Sequence, residues 1–241
     1  HMYVPHAEQI VDLCIEHQVR AVSYSRSPSP ATVNKLKAAG IVCIPTVGAK
    51  RHAVKAVEMG ADGVVIQGSE GGGHTGSVAT SILVPQVRDA IDVPIAAAGG
   101  FRDGRGLVAA LAMGADGIAM GTRFLLTQQS PVPEATKQIY LGTPPEKIVV
   151  STKLDGLPQR MIANSYLDRL IQASQLGLLA RAIKNGLAFS RMQGGSLIAT
   201  LGGAWKMYRS GDLSFGQTLM AANAPMMIQE AMVKGKPDAG I

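Results

Sequence analysis

The chain has 241 residues, 46% hydrophobic and 17% charged, with 28 glycines, 13 prolines and 4% aromatic residues. That balance excludes a disordered chain, a collagen-like repeat and a coiled coil, and suits one globular domain or a domain with a cap. The 23 Lys and Arg against 17 Asp and Glu leave a formal charge of +6. This suits an anionic small molecule, whereas scattered basic residues with few aromatics among them argue against nucleic acid.

Two cysteines, Cys14 and Cys43, are too few for a disulfide scaffold and suit a reducing, cytoplasmic setting. No signal peptide is evident, and no uncharged apolar run reaches the roughly 18–20 residues that span a bilayer, so no membrane role is expected. His1 ahead of Met2 reads as a cloning remnant.

The first 125 residues repeat one grammar: a helix closed by Gly, a short apolar strand, then a Gly- or Pro-rich loop. The chain opens with a helix over 7–17 and a strand over 19–23. A helix over 31–39 with Gly40 as its cap leads to a strand over 41–47. Residues 52–59 form a helix closed by Gly60, before a strand over 63–67. A helix over 84–90 precedes a strand over 93–98, and a helix over 105–113, closed by Gly114, precedes a strand over 117–120. Gly follows a helix readily because the left-handed cap conformation carries no Cβ penalty there. The sequence MGADGV at 59–64 recurs as MGADGI at 113–118.

The strands read as continuous apolar runs, the pattern of parallel strands buried on both faces, and their alternation with helices means an α/β fold. Periodicity leaves an open sheet and a barrel both available, although no G-x-G-x-x-G opens a helix here. After Gln128 the grammar changes. Prolines punctuate a loop-and-helix stretch with a short strand over 148–152, and helices are expected over 165–178, 179–190, 197–208 and 214–233. This half reads as a mostly helical cap.

In parallel α/β folds the functional face lies at the carboxyl ends of the strands, and three such ends stand out. The first is QGSEGGGHTG at 67–76, whose glycines let the backbone approach a flat or anionic ligand. It contains His74, a candidate general base or hydrogen-bond donor. Gln67 either bonds a heterocycle edge or is a satisfied polar group of the barrel, and Glu70 either supports His74 or is solvated. The second and third ends, around Gly99-Gly100 and Gly121-Thr122, face helix N-termini and fit a phosphate cradle; tight strand–helix packing is the other reading of each. Asp62 and Asp116 precede strands at the opposite face and are assigned structural roles. No C-x-x-C, H-E-x-x-H or G-x-S-x-G is present, so neither a metal site nor serine hydrolysis is expected.

Together GADGVVIQGSEGGGHTG, PIAAAGGFRDGRGLVAALAMGADGIAMGTRF and LLTQQSPVPEATKQ resemble the nitronate monooxygenase (2-nitropropane dioxygenase-like) family of FMN-dependent TIM-barrel enzymes. The resemblance is strong from about Gln18 to Gln138. It implies a (β/α)8 barrel with residues 1–130 as its FMN-binding part and 131–241 as the cap or substrate domain. It places the FMN phosphate on Gly99, Gly100, Gly121 and Thr122, the ring near Gln67, Gly71, Gly72 and Gly73, and His74 beside the substrate.

The implied reaction is oxidation of an alkyl nitronate with dioxygen. Relatives on the same scaffold resemble it in sequence but reduce C=C bonds of thioesters with NAD(P)H through FMN, or act on CoA thioesters in steroid-ring breakdown. About five of the eight strand–helix units are recognisable, numbers four to eight. Closure then requires a preceding segment or a second copy, since open edges expose unpaired backbone. A non-catalytic chain that pairs its edge with another chain, and a phosphate-sugar isomerase or synthase on the same barrel, are the readings from other classes.

Overall fold

Five strands, β1 (Ala21–Ser25), β2 (Val42–Val47), β3 (Val64–Gln67), β5 (Ile95–Ala98) and β6 (Gly117–Ala119), lie side by side in that order and all run parallel. A two-residue extended segment, β4 (Gly73–His74), falls within the connection between β3 and β5. The computed structural model describes residues 6–25, 29–174 and 227–236, with the single positions 177, 184, 185, 187 and 188. The chain divides into two units, His1–Gly121 and Thr122–Ile241.

In the first unit the helices α1 (Ala7–Glu16), α2 (Pro30–Ala38), α3 (Lys50–Glu58), α4 (Thr80–Arg88) and α5 (Gly104–Ala112) alternate with the strands. Three helices end in the same device. After α2, α3 and α5 the glycines Gly40, Gly60 and Gly114 take positive φ of 73°, 94° and 93°. The next residue then donates its N–H back into the helix: Ile41 to Leu36, Ala61 to Ala56 and Ala115 to Ala110, at 3.0–3.1 Å. This is the Schellman closure that a left-handed C′ residue permits. Helix α1 closes in the same way, Val19 donating to the Cys14 carbonyl at 3.0 Å, but with Gln18 at φ 49° in the glycine position. That closure occupies residues 17–19, so β1 begins at Ala21, two residues later than the apolar pattern predicts.

The expectation of strands buried on both faces is corrected. Val64 and Ile66 of β3 and Ile95 and Ala97 of β5 pack with Leu83, Val84 and Val87 of α4 and Ala110 of α5 in one buried cluster. Their neighbours Val65 and Ala96, on the other face, are only partly buried. Alternation along a strand puts successive side chains on opposite faces, and the helices of this unit cover one of them. A smaller cluster, Val11, Val33, Leu36, Ile41 and Cys43, packs α1 and α2 against β2.

The second unit contains α6 (Thr122–Leu125), α7 (Glu134–Gly142), a 3₁₀ turn at Pro145–Lys147, and α8 (Ser165–Gln172), which is capped by the Asn164 side chain. Between them lies an antiparallel hairpin, β7 (Ile148–Ser151) with β8 (Gln159–Ile162), where the sequence pattern suggested a single short strand. The buried Asp155 organises its turn, accepting from the Leu157 N–H at 3.0 Å and the Gln159 side-chain amide at 2.7 Å. The buried Lys137 donates to the carbonyls of Thr127 and Ser130 at 2.8 and 2.9 Å, replacing water as the partner of its ammonium group. A π-helical turn, Gln229–Val233, is held by the Thr136 hydroxyl, which donates to the Ala231 carbonyl at 2.6 Å. The helices expected over 179–190 and 197–208, and 214–226 of the last one, lie largely outside the described residues. Among the described residues no helix is long and apolar enough to cross a membrane.

Candidate functional site

The carboxyl end of β3 carries the glycine loop, and the loop is anchored at each stage. The Gly68 amide donates to the Ala98 carbonyl at 3.1 Å, which ties the start of the loop to the neighbouring strand β5. The Gly71 amide turns back to the Gly68 carbonyl at 3.0 Å, and the Ser69 amide reaches the Val78 carbonyl at 2.8 Å. The Thr75 hydroxyl lies 3.0 Å from the Ser69 carbonyl and 3.2 Å from that of Gly68. The side-chain amide of Gln67 donates to the His74 carbonyl at 2.9 Å, with the Gly72 carbonyl at 3.4 Å. The Gln67 NH2 group is therefore directed into the loop that bears His74. His74 itself is exposed, at the end of β4.

The glycines fall into two groups. Gly68, Gly71 and Gly99 are glycines because the protein itself fills the space a side chain would take. A Cβ on Gly68 would stand 2.1 Å from the Thr80 hydroxyl and 2.5 Å from the Thr80 backbone. A Cβ on Gly71 would stand 2.5 Å from the Gln67 side chain, and one on Gly99 3.0 Å from the Gly71 nitrogen. Around Gly72, Gly73 and Gly121, by contrast, a Cβ meets nothing within 4 Å. Space over those three backbones is open.

Gly99 and Gly100 follow β5 with positive φ of 104° and 81°, a succession that side chains resist. Because Ala98 lies opposite Ala119 in the sheet, Gly99-Gly100 and Gly121-Thr122 leave from neighbouring strand ends. The expected help from the α5 N-terminus is not free. Asp103 already caps that helix, accepting from the Arg105 N–H at 3.0 Å, and its side chain is paired with Arg105. The Arg105 hydrogen bond holds the Asp103 pKa well below the usual carboxylate range.

Glu70 is exposed, as one of its two expected readings has it, but its carboxylate is also bound within the protein. One of its carboxylate oxygens accepts from the Thr80 hydroxyl at 2.7 Å, the Thr80 N–H at 2.9 Å and the Ser69 hydroxyl at 3.2 Å. Burial disfavours the anion, but the Thr80 and Ser69 hydrogen bonds outweigh it and hold the pKa below the ordinary glutamate value. Thr80, which sequence reasoning passed over, is buried at the first position of α4 and also lies 3.3 Å from the Gly99 carbonyl. No local motif marks this pair, since ten residues separate them.

The structure therefore brings Gln67, Gly71, Gly72, His74 and Gly99 into direct contact through the loop, with Gly100 against the Glu70 side chain. Gly121 and Thr122 lie at the next strand end. Asp62 and Asp116 stand at the opposite ends of the strands, in the structural positions expected of them. Among the described residues no group of three or more His, Cys, Asp or Glu side chains is placed to hold a metal ion.

Over residues 3–241 the chain matches the family model described as nitronate monooxygenase. It is 46% identical over 231 residues to (3aS,4S,5R,7aS)-5-hydroxy-7a-methyl-1-oxo-octahydro-1H-indene-4-carboxyl-CoA dehydrogenase of Rhodococcus jostii (strain RHA1), covering 96% of this chain and 65% of that one. A probable nitronate monooxygenase of Staphylococcus saprophyticus is 37% identical over 172 residues, 66% of this chain and 48% of that one. Among solved structures, FabK from Thermotoga maritima superposes with a TM-score of 0.72 at 27% identity, over 98% of this chain and 64% of that chain. Nitroalkane oxidase from Streptomyces ansochromogenes superposes with a TM-score of 0.60 at 30% identity, over 67% and 50% respectively. The chain thus spans about two thirds of the length of the relatives it matches end to end. Its five parallel β/α units belong to the α/β, TIM-barrel type, and the chain belongs to the nitronate monooxygenase family.

Proposed function

We propose that this chain carries the cofactor-binding side of an FMN-dependent oxidoreductase. The observation that carries the reading is the contrast between the two groups of glycines. Gly68, Gly71 and Gly99 are packed from within, while Gly72 and Gly73, after β3, and Gly121, after β6, border open space.

In this reading Gly99, Gly100, Gly121 and Thr122 hold the FMN phosphate through backbone N–H groups and the Thr122 hydroxyl. Gln67, Gly71, Gly72 and Gly73 border the ring. When bound, FMN supplies the two-electron chemistry. The chain's own contribution is His74, which takes the proton from the carbon beside the nitro group of a neutral nitroalkane, or hydrogen-bonds the oxygens of a nitronate that is already anionic. The edges of the sheet, β1 and β6, are where further strands, from the same polypeptide or a second copy, would complete a barrel.

A second reading of the substrate is favoured by one observation: identity to the CoA-thioester dehydrogenases, 46% and 43%, exceeds that to the probable nitronate monooxygenases, 34–37%. Here the same site would take an acyl-CoA or acyl-carrier-protein thioester, whose C=C bond is reduced with NAD(P)H supplying the two electrons. The deciding experiment is the visible spectrum of the purified protein and the release of FMN on denaturation. A colourless protein that takes up no added FMN overturns the reading. Anaerobic flavin reduction by a nitronate, by NADH or NADPH, or by an acyl-CoA then separates the two substrate classes.

A further inference from the structure

We propose that Glu70 is a positioning residue that holds the glycine loop, and with it His74, against the Gly99-Gly100 turn through the buried hydroxyl of Thr80. The functional weight of this inference rests on the reading of His74 and that turn as one site.

The contacts run in sequence from loop to turn. Glu70 belongs to the loop, and its carboxylate takes both the hydroxyl and the amide of Thr80. Ala79, which precedes Thr80, offers no side-chain cap, so the α4 N-terminus is capped from the loop by a carboxylate that also suits the helix dipole. On its other side Thr80 presses on the turn, its hydroxyl 3.3 Å from the Gly99 carbonyl and 3.1 Å from where a Gly99 Cβ would stand. The stem of Glu70 lies against Gly100, 3.4 Å from its Cβ position. The Gly71 nitrogen abuts Gly99. Loop and turn thus meet on one buried side chain.

The hydroxyl has a single proton and two acceptors within reach. The carboxylate takes it, because a charge-assisted hydrogen bond is the stronger of the two. Removing that carboxylate frees the proton for the Gly99 carbonyl and leaves the loop without its tie to α4. A ligand that orders the Gly99-Gly100 turn therefore also orders the loop bearing His74.

The test is amide hydrogen exchange over residues 68–76 in the wild type, Glu70→Ala, Glu70→Gln, Thr80→Val and Thr80→Ser, with FMN titrated into each. Loss of the tie should speed exchange at Gly68, Ser69 and Gly71, whose amides are hydrogen-bonded, about tenfold in Glu70→Ala and Thr80→Val, the factor a charge-assisted hydrogen bond commands. FMN affinity should fall by a similar factor. Thr80→Ser keeps the hydroxyl and should exchange as the wild type does. Glu70→Gln keeps the acceptor oxygen but not the charge, and should fall between wild type and Glu70→Ala. A mere helix cap would speed exchange in the first turn of α4 and leave the loop unchanged, which overturns the proposal; so would Thr80→Ser exchanging as fast as Thr80→Val. Should Glu70→Ala fail to fold, the Thr80 pair decides alone. Exchange needs no cofactor, so a wild-type chain that takes up no FMN refutes the flavin reading while the exchange result still decides the role of Glu70.

Discussion

Asp116 and Ile95 exchange two hydrogen bonds at 2.8 Å: the Asp116 amide donates to the Ile95 carbonyl, and the Asp116 carboxylate accepts from the Ile95 amide. Asp62 repeats the arrangement on Cys43, at 2.9 and 2.8 Å. The repeated MGADG therefore performs one task twice. Its glycine closes a helix, and two residues later its aspartate satisfies an amide at the start of the neighbouring parallel strand, that of Ile95 in β5 and of Cys43 in β2. Ile95 and Cys43 are fully buried, so Asp62→Ala or Asp116→Ala leaves a strand amide unsatisfied and should cost about 1–3 kcal/mol in urea unfolding. Asparagine at either position keeps an acceptor and should cost less.

Asp62 also sets a pH dependence. Burial disfavours its anion, but the Cys43 amide and the Lys37 ammonium outweigh that and hold its pKa below the ordinary aspartate value. A depressed folded-state pKa contributes stability that is complete above the unfolded value of about 3.9 and is lost as pH falls through the folded one. The difference in unfolding free energy between wild type and Asp62→Asn should therefore shrink as pH is lowered below about 4.

Gln18 occupies, at φ 49°, the position that Gly40, Gly60 and Gly114 fill in the other helix closures. It is exposed, so its side chain gives little in return for the left-handed strain. Gln18→Gly should stabilise the protein by about 0.5–1 kcal/mol. Thermal unfolding should read this as a rise of roughly 1–4 °C.

The two groups of glycines should respond oppositely to alanine. Gly68→Ala drives a methyl group into the Thr80 backbone and should destabilise by about 3 kcal/mol. Gly72→Ala meets nothing, so the melting temperature should stay close to wild type while FMN affinity, read by flavin fluorescence quenching, falls.

In the second unit, Thr136→Val keeps the side-chain shape and removes the donor to the Ala231 carbonyl. With Thr136 fully buried, the loss should be about 1–2 kcal/mol. Hydrogen exchange over residues 227–236 should rise more than elsewhere.

His74→Ala should lower kcat for a neutral nitroalkane by roughly 10²–10⁴, the usual contribution of a positioned general base. Turnover of a preformed nitronate should fall much less. Equal losses on both would show that His74 takes no proton.

Helix α4 shows why part of the fold was not legible in the sequence. Its pattern predicts a start at Val84, where Pro85 reads as a first-turn residue. The helix instead begins at Thr80 and carries Pro85 in its second turn, because its N-terminal amide is satisfied by Glu70, ten residues earlier and across a loop. The strand β8 was missed for a related reason. Gln-Arg-Met-Ile has little strand character by itself, and pairing with Ile148–Ser151 supplies what its composition lacks.

From its residues alone this protein declared the alternation of helix and strand, the glycine closures of α2, α3 and α5, the structural aspartates and the three unusual strand ends. Each of these is written in a short stretch of chain, where backbone conformation and local hydrogen bonding decide the outcome. Tertiary structure alone decided which glycines are filled from within and which border open space. It also decided that Gln67 turns its amide onto the loop, and that the Glu70 carboxylate binds Thr80. Those outcomes depend on residues far apart in sequence arriving within hydrogen-bond distance, and no local pattern encodes that arrival.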